Sequence, residues 1–472
     1  MLVRPTRREL LRAGGALASA ALAGAGRKAQ DAWGHAAEIV GRVRSPQFPS
    51  RTFPITDFGA SGDGGRLATD AIARAVAACA EAGGGRVLVP AGRFLTGAVH
   101  LRSNVELHVA RGATLLFSTN PAHYPLVRTR WEGIELINYS PLVYAYGQRN
   151  IAITGEGTLD GQASATHWWR WKGPWKGTVD NGWREGMPDQ RPARARLAQM
   201  AEAGVPVEKR VFGDGSYLRP SFIEPYACQN VLIEGVKLRG APFWQVHPVL
   251  CRNVNVRNLD IHGLGPNNDG CDPESCSMVL IEGCTFDTGD DCIAVKSGRN
   301  ADGRRVHTPS EDIVVRNCRM KEGHGGVTIG SEISGGARRV FAENCTMNSP
   351  NLDYALRFKN NAVRGGLLEN FYFRDIHVGE VRRAVIACDF IYEEGANGPF
   401  KPVLRHIVVE RLQAAHAKRA LDCQGLPGAP VRDIRLSDCR FDDVIDPSIV
   451  RFTEGLILDH VLVNRRPVGA VI

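Results

Sequence analysis

The sequence lacks the patterns that would indicate a zinc site or a membrane span. It holds twelve cysteines and thirteen histidines among its 472 residues, yet no CxxC pair and no cluster of histidine with cysteine occurs. Such clusters at fixed spacing are what zinc sites need. No apolar run approaches the roughly 20 residues that cross a bilayer. We therefore expect no metal, no other cofactor and no membrane anchor.

The chain also has little charge of one sign once its first residues are set aside. The formal net charge is +8 at pH 7, but residues 1–28 contribute six cationic side chains and only one acidic one. About +3 remains for the rest of the chain, which is too weak for the basic surface of a nucleic-acid-binding protein. Nucleic acid is therefore not an expected partner.

Residues 1–30 look like a bacterial twin-arginine export signal. The pair Arg7 and Arg8 precedes a weakly apolar stretch of alanine, glycine and leucine. Two further basic residues, Arg27 and Lys28, follow that stretch. The apolar part is too short for a transmembrane helix. The segment predicts export to the periplasm or the medium.

Twelve cysteines in an exported protein would ordinarily indicate disulfides. Here most of them lie in or beside short apolar stretches, where a thiol acts as a small apolar group. Examples are Cys228, Cys284, Cys318, Cys345 and Cys439. Twin-arginine substrates usually fold in the reducing cytoplasm, which also favours free thiols. Cys271 and Cys276 are the only close pair in an irregular stretch, so they are the candidates for one disulfide.

A repeat of short strands runs through the middle and the end of the chain. Each unit reads as one strand, a polar corner such as Glu-Gly or Arg-Asn, and a second short strand. The units begin at Cys228, Cys251, Cys276, Ser310, Gly336, Leu368, Leu404 and Val431. A period of 20 to 40 residues with short strands is typical of a β-solenoid, in which stacked coils close a continuous core. We predict an all-β fold with residues 51–472 as one domain.

A helix is predicted before the first strands of the solenoid. In the segment LATDAIARAVAACAEAGG, apolar side chains recur at helical spacing at Ile72, Ala75, Val76 and Cys79. Glycines at 83–85 end the helix. A helix at this place can cap the open end of the solenoid, whose unpaired strand edge would otherwise invite aggregation.

Residues 160–219 interrupt the strand rhythm. This insertion contains five of the eight tryptophans, which are Trp168, Trp169, Trp171, Trp175 and Trp183. One interpretation is an excursion packed on the flank of the solenoid, because large rings are mostly buried. The other is an aromatic wall at a sugar site. Residues 380–401, another long segment, are a candidate for a second wall.

Three acidic residues are expected to meet on one face of the solenoid. Asp290 and Asp291 are neighbours, and Asp269 precedes them by about one repeat. Stacked coils lie about 4.8 Å apart, so equivalent turns bring their side chains together. Glycines on both sides should permit the bends that let adjacent side chains share a face. They are Gly265, Gly270, Gly283 and Gly289.

Three carboxylates this close repel one another, so at least one should hold its proton near neutral pH. Glycoside hydrolysis needs such a set, with one protonated acid for the leaving oxygen and one carboxylate to activate water or attack. A calcium site would also use clustered acids. The third interpretation is an ordinary solvated turn.

Four ordered motifs carry a resemblance to a known family. They are NND at 267–269, GDD at 289–291, GHGGVTIGS at 323–331 and RFK at 357–359. Together they resemble family 28 of the glycoside hydrolases, the polygalacturonases, and the similarity extends over nearly the whole chain after the signal. The resemblance implies a right-handed parallel β-helix with a catalytic role for the single domain.

The resemblance also implies a role for each of four acidic or basic side chains. Asp290 matches the general acid of the family. Asp269 and Asp291 match the two carboxylates that activate the attacking water. His324 matches the histidine that tunes or orients the acid, although holding a turn would be a simpler role.

The substrate-binding residues implied by the resemblance are Arg357, Lys359 and Asn267. An arginine fork and a lysine point charge suit the carboxylate of a uronic acid. The family commonly has NTD and RIK where this chain has Asn268 and Phe358, and we expect these middle residues to point away from the site. Arg299 is either one more contact for an anionic substrate or a solvated loop residue.

The resemblance thus implies a hydrolase of α-1,4-galacturonosyl linkages that inverts the anomeric centre, and the signal segment predicts its export. The stretches NNDGCDPESC and SGRNADGRR are most similar to the bacterial, often exo-acting branch of the family, so we expect action from a chain end. Its partner would be a pectic polysaccharide or an oligogalacturonide. Three alternatives stay open: hydrolysis of rhamnogalacturonan or another decorated pectin, a calcium-dependent pectate lyase, and a non-catalytic polysaccharide-binding solenoid. The oligomeric state is left open.

Overall fold

The computed structural model of the protein describes residues 31–469, which form a right-handed parallel β-helix. The predicted export signal at residues 1–30 lies outside the described residues. Each coil of the solenoid contributes strands to three faces, and the strands of each face pair in parallel with those of the neighbouring coils. The predicted all-β fold is confirmed.

The first face is a sheet of thirteen strands, called the long sheet here. All eight repeat units predicted from the sequence supply consecutive strands to it. Its strands, in spatial order, are Thr52–Pro54, Gly85–Val89, Val105–Val109, Arg149–Gly155, Gln229–Glu234, Arg252–Arg257, Ser277–Glu282, Ser310–Arg316, Ala337–Glu343, Leu367–Arg374, Val403–Glu410, Val431–Ser437 and Thr453–Asp459.

The second face follows the long sheet in each coil after a short corner. Its strands are Asp63–Leu67, Gly92–Thr96, Ala113–Phe117, Thr158–Asp160, Lys237–Arg239, Asp260–Gly263, Thr285–Thr288, Arg319–Met320, Thr346–Met347, the first halves of His377–Asp389 and Gln413–Gln424, Arg440–Phe441 and Val461–Val463. The last of these pairs in antiparallel fashion with Arg466–Val468.

The third face completes each coil and lies next to the candidate site. Its strands are Val99–His100, Val143–Tyr146, Ile223–Tyr226, Ile293–Val295, Val327–Ile329, Tyr354–Lys359, the second halves of His377–Asp389 and Gln413–Gln424, and Ile449–Arg451. Isolated bridges at residues 246–249 and 271–274 continue this face between Ile223–Tyr226 and Ile293–Val295. A hairpin of Leu126–Trp131 and Ile134–Tyr139 stands outside the three faces.

The interior is filled by ladders of apolar side chains from equivalent positions in successive coils. Val254, Val279 and Ile313 are register partners in the long sheet, and all three are fully buried. Because the coils repeat in parallel, one apolar residue per inward position is enough to continue the core through the whole stack.

The cysteines belong to these ladders and form no disulfide. All twelve are buried free thiols. The backbone N–H of Cys228 donates to Sγ of Cys251 at 3.4 Å, and that of Cys251 donates to Sγ of Cys276 at 3.3 Å. The candidate disulfide between Cys271 and Cys276 is therefore wrong, because Cys276 continues a column of cysteines along the coils.

Two helices lie near the N-terminal part of the chain. The predicted capping helix is Thr69–Glu81, which buries Ile72, Ala75 and Val76 against the first coils. The helix at residues 31–42 was not predicted. It packs Trp33 and its apolar neighbours on the outer side of the long sheet, where the Trp33 indole N–H donates to Glu410 at 3.2 Å.

The insertion at 160–219 combines both interpretations made from its tryptophans. It contains a 3-10 turn, Trp169–Lys172, and a helix, Arg191–Glu202. Trp168 is buried, and Trp169 packs against the core of the solenoid. Trp175 instead lines the candidate site. One further short helix, Asn300–Val306, follows the third-face strand Ile293–Val295.

Candidate active site

The predicted site residues meet where the second face turns into the third. Asp269 lies in the turn after Asp260–Gly263, and Asp290 lies in the equivalent turn one coil later. His324 occupies the same turn in the following coil, and Arg357 lies in the third-face strand of the coil after that. The expected whole-coil spacing is confirmed from Asp290 to His324, whereas Arg357 is in register with Thr328 and so lies beyond the position that is equivalent to His324.

Asp290 and Asp291 are neighbours in the chain, but their side chains lie in different surroundings. The Asp291 side chain is fully buried, whereas 17% of the Asp290 side chain is exposed. One oxygen of each, and one of Asp269, all lie within 4.8 Å of one another. The three carboxyl groups therefore form one cluster, as the spacing of the repeat predicts.

Asp291 is buried as a charge because cations from a later coil lie against it. Lys359 Nζ donates to Oδ2 at 2.5 Å, and the Thr328 hydroxyl donates to Oδ1 at 3.0 Å. Arg357 Nη1 lies 3.7 Å from Oδ1. Burial opposes the shift, but Asp291 raises the pKa of Lys359 above its ordinary value. Arg357 and Lys359, which are predicted to bind substrate, are therefore also ion-paired with the acid cluster.

Asp290 and His324 form a hydrogen-bonded pair at the surface of the cluster. Nδ1 of His324 lies 2.9 Å from Oδ1 of Asp290. The carboxylate raises the pKa of His324 to about 9. Burial opposes the shift, but the imidazolium lowers the pKa of Asp290 well below its usual range. The proton that the pair shares therefore resides on His324 in the free protein.

Asp269 is the carboxyl group that keeps a proton near neutral pH. It is 2% exposed, and burial together with the charge of Asp290 raises its pKa to about 8. Its Oδ1 is buried and has no hydrogen-bond partner among residues 31–469. The expectation that one of the three acids holds a proton is met, but by Asp269 rather than by Asp290.

Lys296 is a charged residue of the site that the motifs did not single out. Its Nζ lies 3.5 Å from Asp269 Oδ2 and 3.1 Å from Glu332 Oε2, and 4.3 Å from the ring centre of Trp244. The signal was a lysine inside the apolar strand CIAVK, because a buried lysine needs an acidic partner. The floor of the site therefore alternates acids with cations.

Asn267 also lines the site, as predicted. Its Oδ1 accepts a hydrogen bond of 2.8 Å from Arg219, a buried residue at the end of the insertion. The middle residues of the two variant motifs point away, as expected: Phe358 is buried in the core, and Asn268 donates to the backbone oxygens of Ala241 and Phe243.

The glycines near the acids act differently from the expectation. Only Gly283 of the four has a positive φ, at 66°. Gly289 is needed for close packing instead, because a Cβ there would overlap the backbone of Leu264 in the previous coil. Gly265 and Gly270 are likewise packed too tightly against neighbouring atoms for a side chain. These three glycines let neighbouring segments pack closely against each other, and they are not needed for a bend of the chain.

These side chains line a cleft of about 450 Å³. Six of the seven predicted site residues line it, and Asp291 lies beneath them. Cations and acids are mixed over the surface of the cleft: the carboxyl cluster lies on its floor beside Lys296 and Lys359, and Glu132 and Glu393 are ion-paired in its lining. Such an arrangement can receive an anionic ligand and offer it both a proton donor and a carboxylate.

One wall of the cleft is a network of ion pairs between segments distant in the sequence. Arg194 of the insertion lies 2.6 Å from Glu132 of the hairpin and 3.8 Å from Glu393 in the segment 380–401. Arg299 lies 3.0 Å from Glu132 and 3.4 Å from Glu393. Arg299 is buried, so both interpretations made for it are wrong: it joins the wall.

The acid cluster could in principle hold a hard cation, since clustered carboxylates suit calcium. Each of the two buried acids already has an ammonium group against it, Lys296 at Asp269 and Lys359 at Asp291. A divalent ion would have to approach these like charges. The residues present fit a charge-compensated acid cluster better than a calcium site.

Comparison with known proteins shows that this chain is similar to glycosyl hydrolases. The model of the family described as glycosyl hydrolases family 28 matches residues 213–442. A probable polygalacturonase of Vitis vinifera is 29% identical over 81% of this chain and 73% of its own length. An exo-poly-alpha-D-galacturonosidase of Dickeya chrysanthemi is 28% identical over 72% of this chain and 57% of its own length.

One protein of known structure is more similar to this chain than these two relatives are. The crystal structure of a hyperthermoactive exopolygalacturonase from Thermotoga maritima has a TM-score of 0.88 and 47% sequence identity. The match covers 92% of this chain and 96% of that one. The family 28 exopolygalacturonase of Yersinia enterocolitica, at 22% identity and a TM-score of 0.69, shares the fold.

The pairing of His324 with Asp290 predicts a shifted histidine titration. By NMR of the histidine ring protons, His324 should titrate near pH 9, and in Asp290→Asn it should fall back toward its ordinary value of about 6.5. The pair therefore stabilises the fold fully between the ordinary pKa values of aspartate, about 4, and histidine, about 6.5. This contribution is lost as the pH rises through about 9, where His324 loses its proton, and as the pH falls below about 4, because the pKa of Asp290 is lowered.

Asp443→Asn is the matched control, because it removes the carboxylate beside the exposed His416 on a distant coil. It should leave the His324 titration unchanged. A His324 pKa that stays the same in Asp290→Asn would contradict the assignment of the proton to this pair.

Proposed function

The chain belongs to family 28 of the glycosyl hydrolases, and from this premise we propose that it is an exported polygalacturonase that inverts the anomeric centre and removes sugars from a chain end. It is a glycoside hydrolase, which sets aside the lyase and the non-catalytic interpretations. One observation carries the proposal: an acid with a free oxygen faces the same cleft as the cationic pair Arg357 and Lys359.

Asp290 is the proposed general acid. Its Oδ1 is held by His324, and no residue among 31–469 hydrogen-bonds its Oδ2, which leaves that oxygen for the glycosidic oxygen of a substrate. In the free protein the proton resides on His324. A uronate that enters the cleft brings a negative charge and excludes water, and both effects favour the protonated form of Asp290. Substrate binding would thus move the proton from histidine to acid.

Asp269 and Asp291 are the proposed partners of the attacking water. Lys359 and Thr328 fix Asp291, whereas the buried Oδ1 of Asp269 has no partner among the described residues and can hold a water. The ion-paired carboxylate of Asp291 would take the proton of that water, since Asp269 already holds one in the free protein. Neither carboxyl group then has to attack the sugar, which supports inversion. The short distance within the cluster alone would favour retention, since inverting acids are usually about 6.5–9.5 Å apart.

The cationic pair favours an acidic sugar as the substrate. Arg357 offers a planar fork, and its guanidinium lies 4.7 Å from the ring centre of Tyr354. Lys359 adds a compact charge beside it. The carboxylate of galacturonic acid suits both groups. A neutral sugar would leave these cations with only Asp291 to balance them.

The ion-paired wall supports action from a chain end. A bare β-helix face is an open groove, which suits cleavage inside a polymer. Here Arg194 and Glu393 link the insertion to the segment 380–401 across the edge of the cleft. A polymer could not continue through that wall. The chain end would therefore stop there, and cleavage would release a short product.

Export is proposed from the twin-arginine pattern of residues 1–30. The twelve free thiols suit a protein that folds in a reducing compartment before it is exported. No helix within residues 31–469 is long and apolar enough to cross a membrane.

Asp290→Asn should lower kcat on polygalacturonate at least about a thousandfold while the fold stays intact, because the leaving oxygen loses its proton donor. Reducing-sugar release measures the loss, and thermal unfolding checks the fold. Asp287→Asn is the matched control, since Asp287 pairs with the exposed His262 away from the cleft. Activity of Asp290→Asn within tenfold of wild type would remove Asp290 from this role.

The anomer released first should be β-galacturonate, because inversion of an α-linkage gives the β product before mutarotation. Proton NMR during the first minutes of hydrolysis distinguishes the two anomers. An initial α product would show retention, as the short carboxyl distances alone would favour.

Time courses on polygalacturonate should show monomer or dimer from the start with slow loss of viscosity. The double variant Arg194→Ala/Glu393→Ala should open the wall and shift the products toward mixed oligomers. Arg184→Ala, which breaks an exposed ion pair in the same insertion, is the control. Mixed oligomers and a rapid viscosity drop with wild type would show an endo enzyme.

A further inference from the structure

The Trp-rich insertion presents a partly buried lysine to the cleft, and no acidic side chain among the described residues is ion-paired with it. Lys172 ends the 3-10 turn Trp169–Lys172 and lines the same cleft as Asp290. Among residues 31–469 no side chain forms an ion pair or hydrogen bond with it, although it is partly buried. Lys296, Lys359 and Arg194, which also line the cleft, each have an acidic partner, whereas the unpaired Lys176 is exposed to solvent and does not bear the cost of burial.

The insertion holds this lysine in place firmly. The Trp168 ring packs edge-on against Tyr124 and Trp171, with centroids 5.7 and 4.8 Å away. The Trp169 indole N–H donates to the backbone oxygen of Ala241 at 2.9 Å. The residue after Lys172, Gly173, accepts a hydrogen bond from Asn181 at 2.9 Å. Three tryptophans thus anchor the turn that presents Lys172.

An unmatched ammonium group in a partly buried cleft is costly unless a ligand supplies the opposite charge. Burial lowers the pKa of Lys172, and a carboxylate beside it would raise that pKa again. Trp175, three residues later, also lines the cleft, so an aromatic ring and the ammonium group belong to the lining of the same space. A carboxylate on an apolar ring is the chemistry of a uronic acid.

We propose that Lys172 and Trp175 form a second uronate-binding site, which binds the carboxylate and one face of a sugar other than the one bound by Arg357 and Lys359. The two cation sites come from different segments, the insertion and the strand Tyr354–Lys359, and open into one cleft. The preferred ligand is therefore an oligomer with free carboxylates on at least two of its sugars. This inference rests on the proposed function and names the substrate class of the same cleft.

Binding is measured in the Asp290→Asn background, so that the test does not depend on turnover. By calorimetry, Lys172→Gln should weaken the affinity for trigalacturonate about tenfold or more, because a charge-assisted contact is lost. Lys172→Arg should restore most of the affinity. Lys209→Gln changes an exposed lysine of the same insertion away from the cleft and should bind like the parent.

The fully methyl-esterified trisaccharide separates charge from packing. It lacks the carboxylates, so Lys172→Gln should change its affinity less than about threefold. Equal affinity of parent and Lys172→Gln for trigalacturonate would overturn the inference, as would an equal loss on acid and ester. Absence of any trigalacturonate binding by the parent would overturn it as well.

The proposed function has a separate readout in the turnover of polygalacturonate by the wild type. If the wild type releases no product while binding depends on Lys172, the proposed function fails and the second uronate site stands. If the wild type releases galacturonate while Lys172→Gln binds like the parent, only the second site fails.

Discussion

The ion pair between Asp291 and Lys359 is the contact on which the site depends. Both side chains are buried, and they come from coils that are separated by one full coil in the stack. Removal of either partner of a buried pair leaves an uncompensated charge, which costs about 3–5 kcal/mol. The acid cluster and the cationic pair are therefore one structural unit, although they are about seventy residues apart in the sequence.

The same set of ion pairs explains how three neighbouring carboxyl groups can differ in their pKa values. Cations reach the cluster from several coils: Lys359 at Asp291, His324 at Asp290 and Lys296 at Asp269. The contact with His324 is short, whereas Lys296 stands farther from its acid and divides its charge with Glu332. Burial consequently raises the pKa of Asp269 to about 8 while Asp290 stays charged. Parallel stacking supplies these cations because every coil adds a turn and a third-face strand beside the same cluster.

The periodic part of the molecule could be predicted from the sequence, whereas the contacts between distant segments could not. The repeat units, the capping helix and the meeting of the acids follow from strand rhythm and coil spacing, which are local signals. The helix at 31–42 lies on the outer side of the long sheet, and no local pattern tells where it docks. Arg299 was interpreted wrongly and Lys296 was missed, because their acidic partners lie in segments that are distant in the sequence. The predicted disulfide between Cys271 and Cys276 is wrong because Cys276 belongs to the column of cysteines that the repeat builds.

This division between periodic and non-periodic parts also divides the chemistry. The floor of the cleft, with Asp290 and its neighbours, is built by the coils, and its geometry is fixed by core packing and parallel pairing. The walls are built by the insertion at 160–219 and the segment 380–401, which meet through Arg194 and Glu393. Changes on the floor should therefore affect whether a bond is broken. Changes in the walls should affect which bond of the polymer is presented and which sugars are held beside it, since wall residues such as Lys172 contact the cleft without joining the acid cluster.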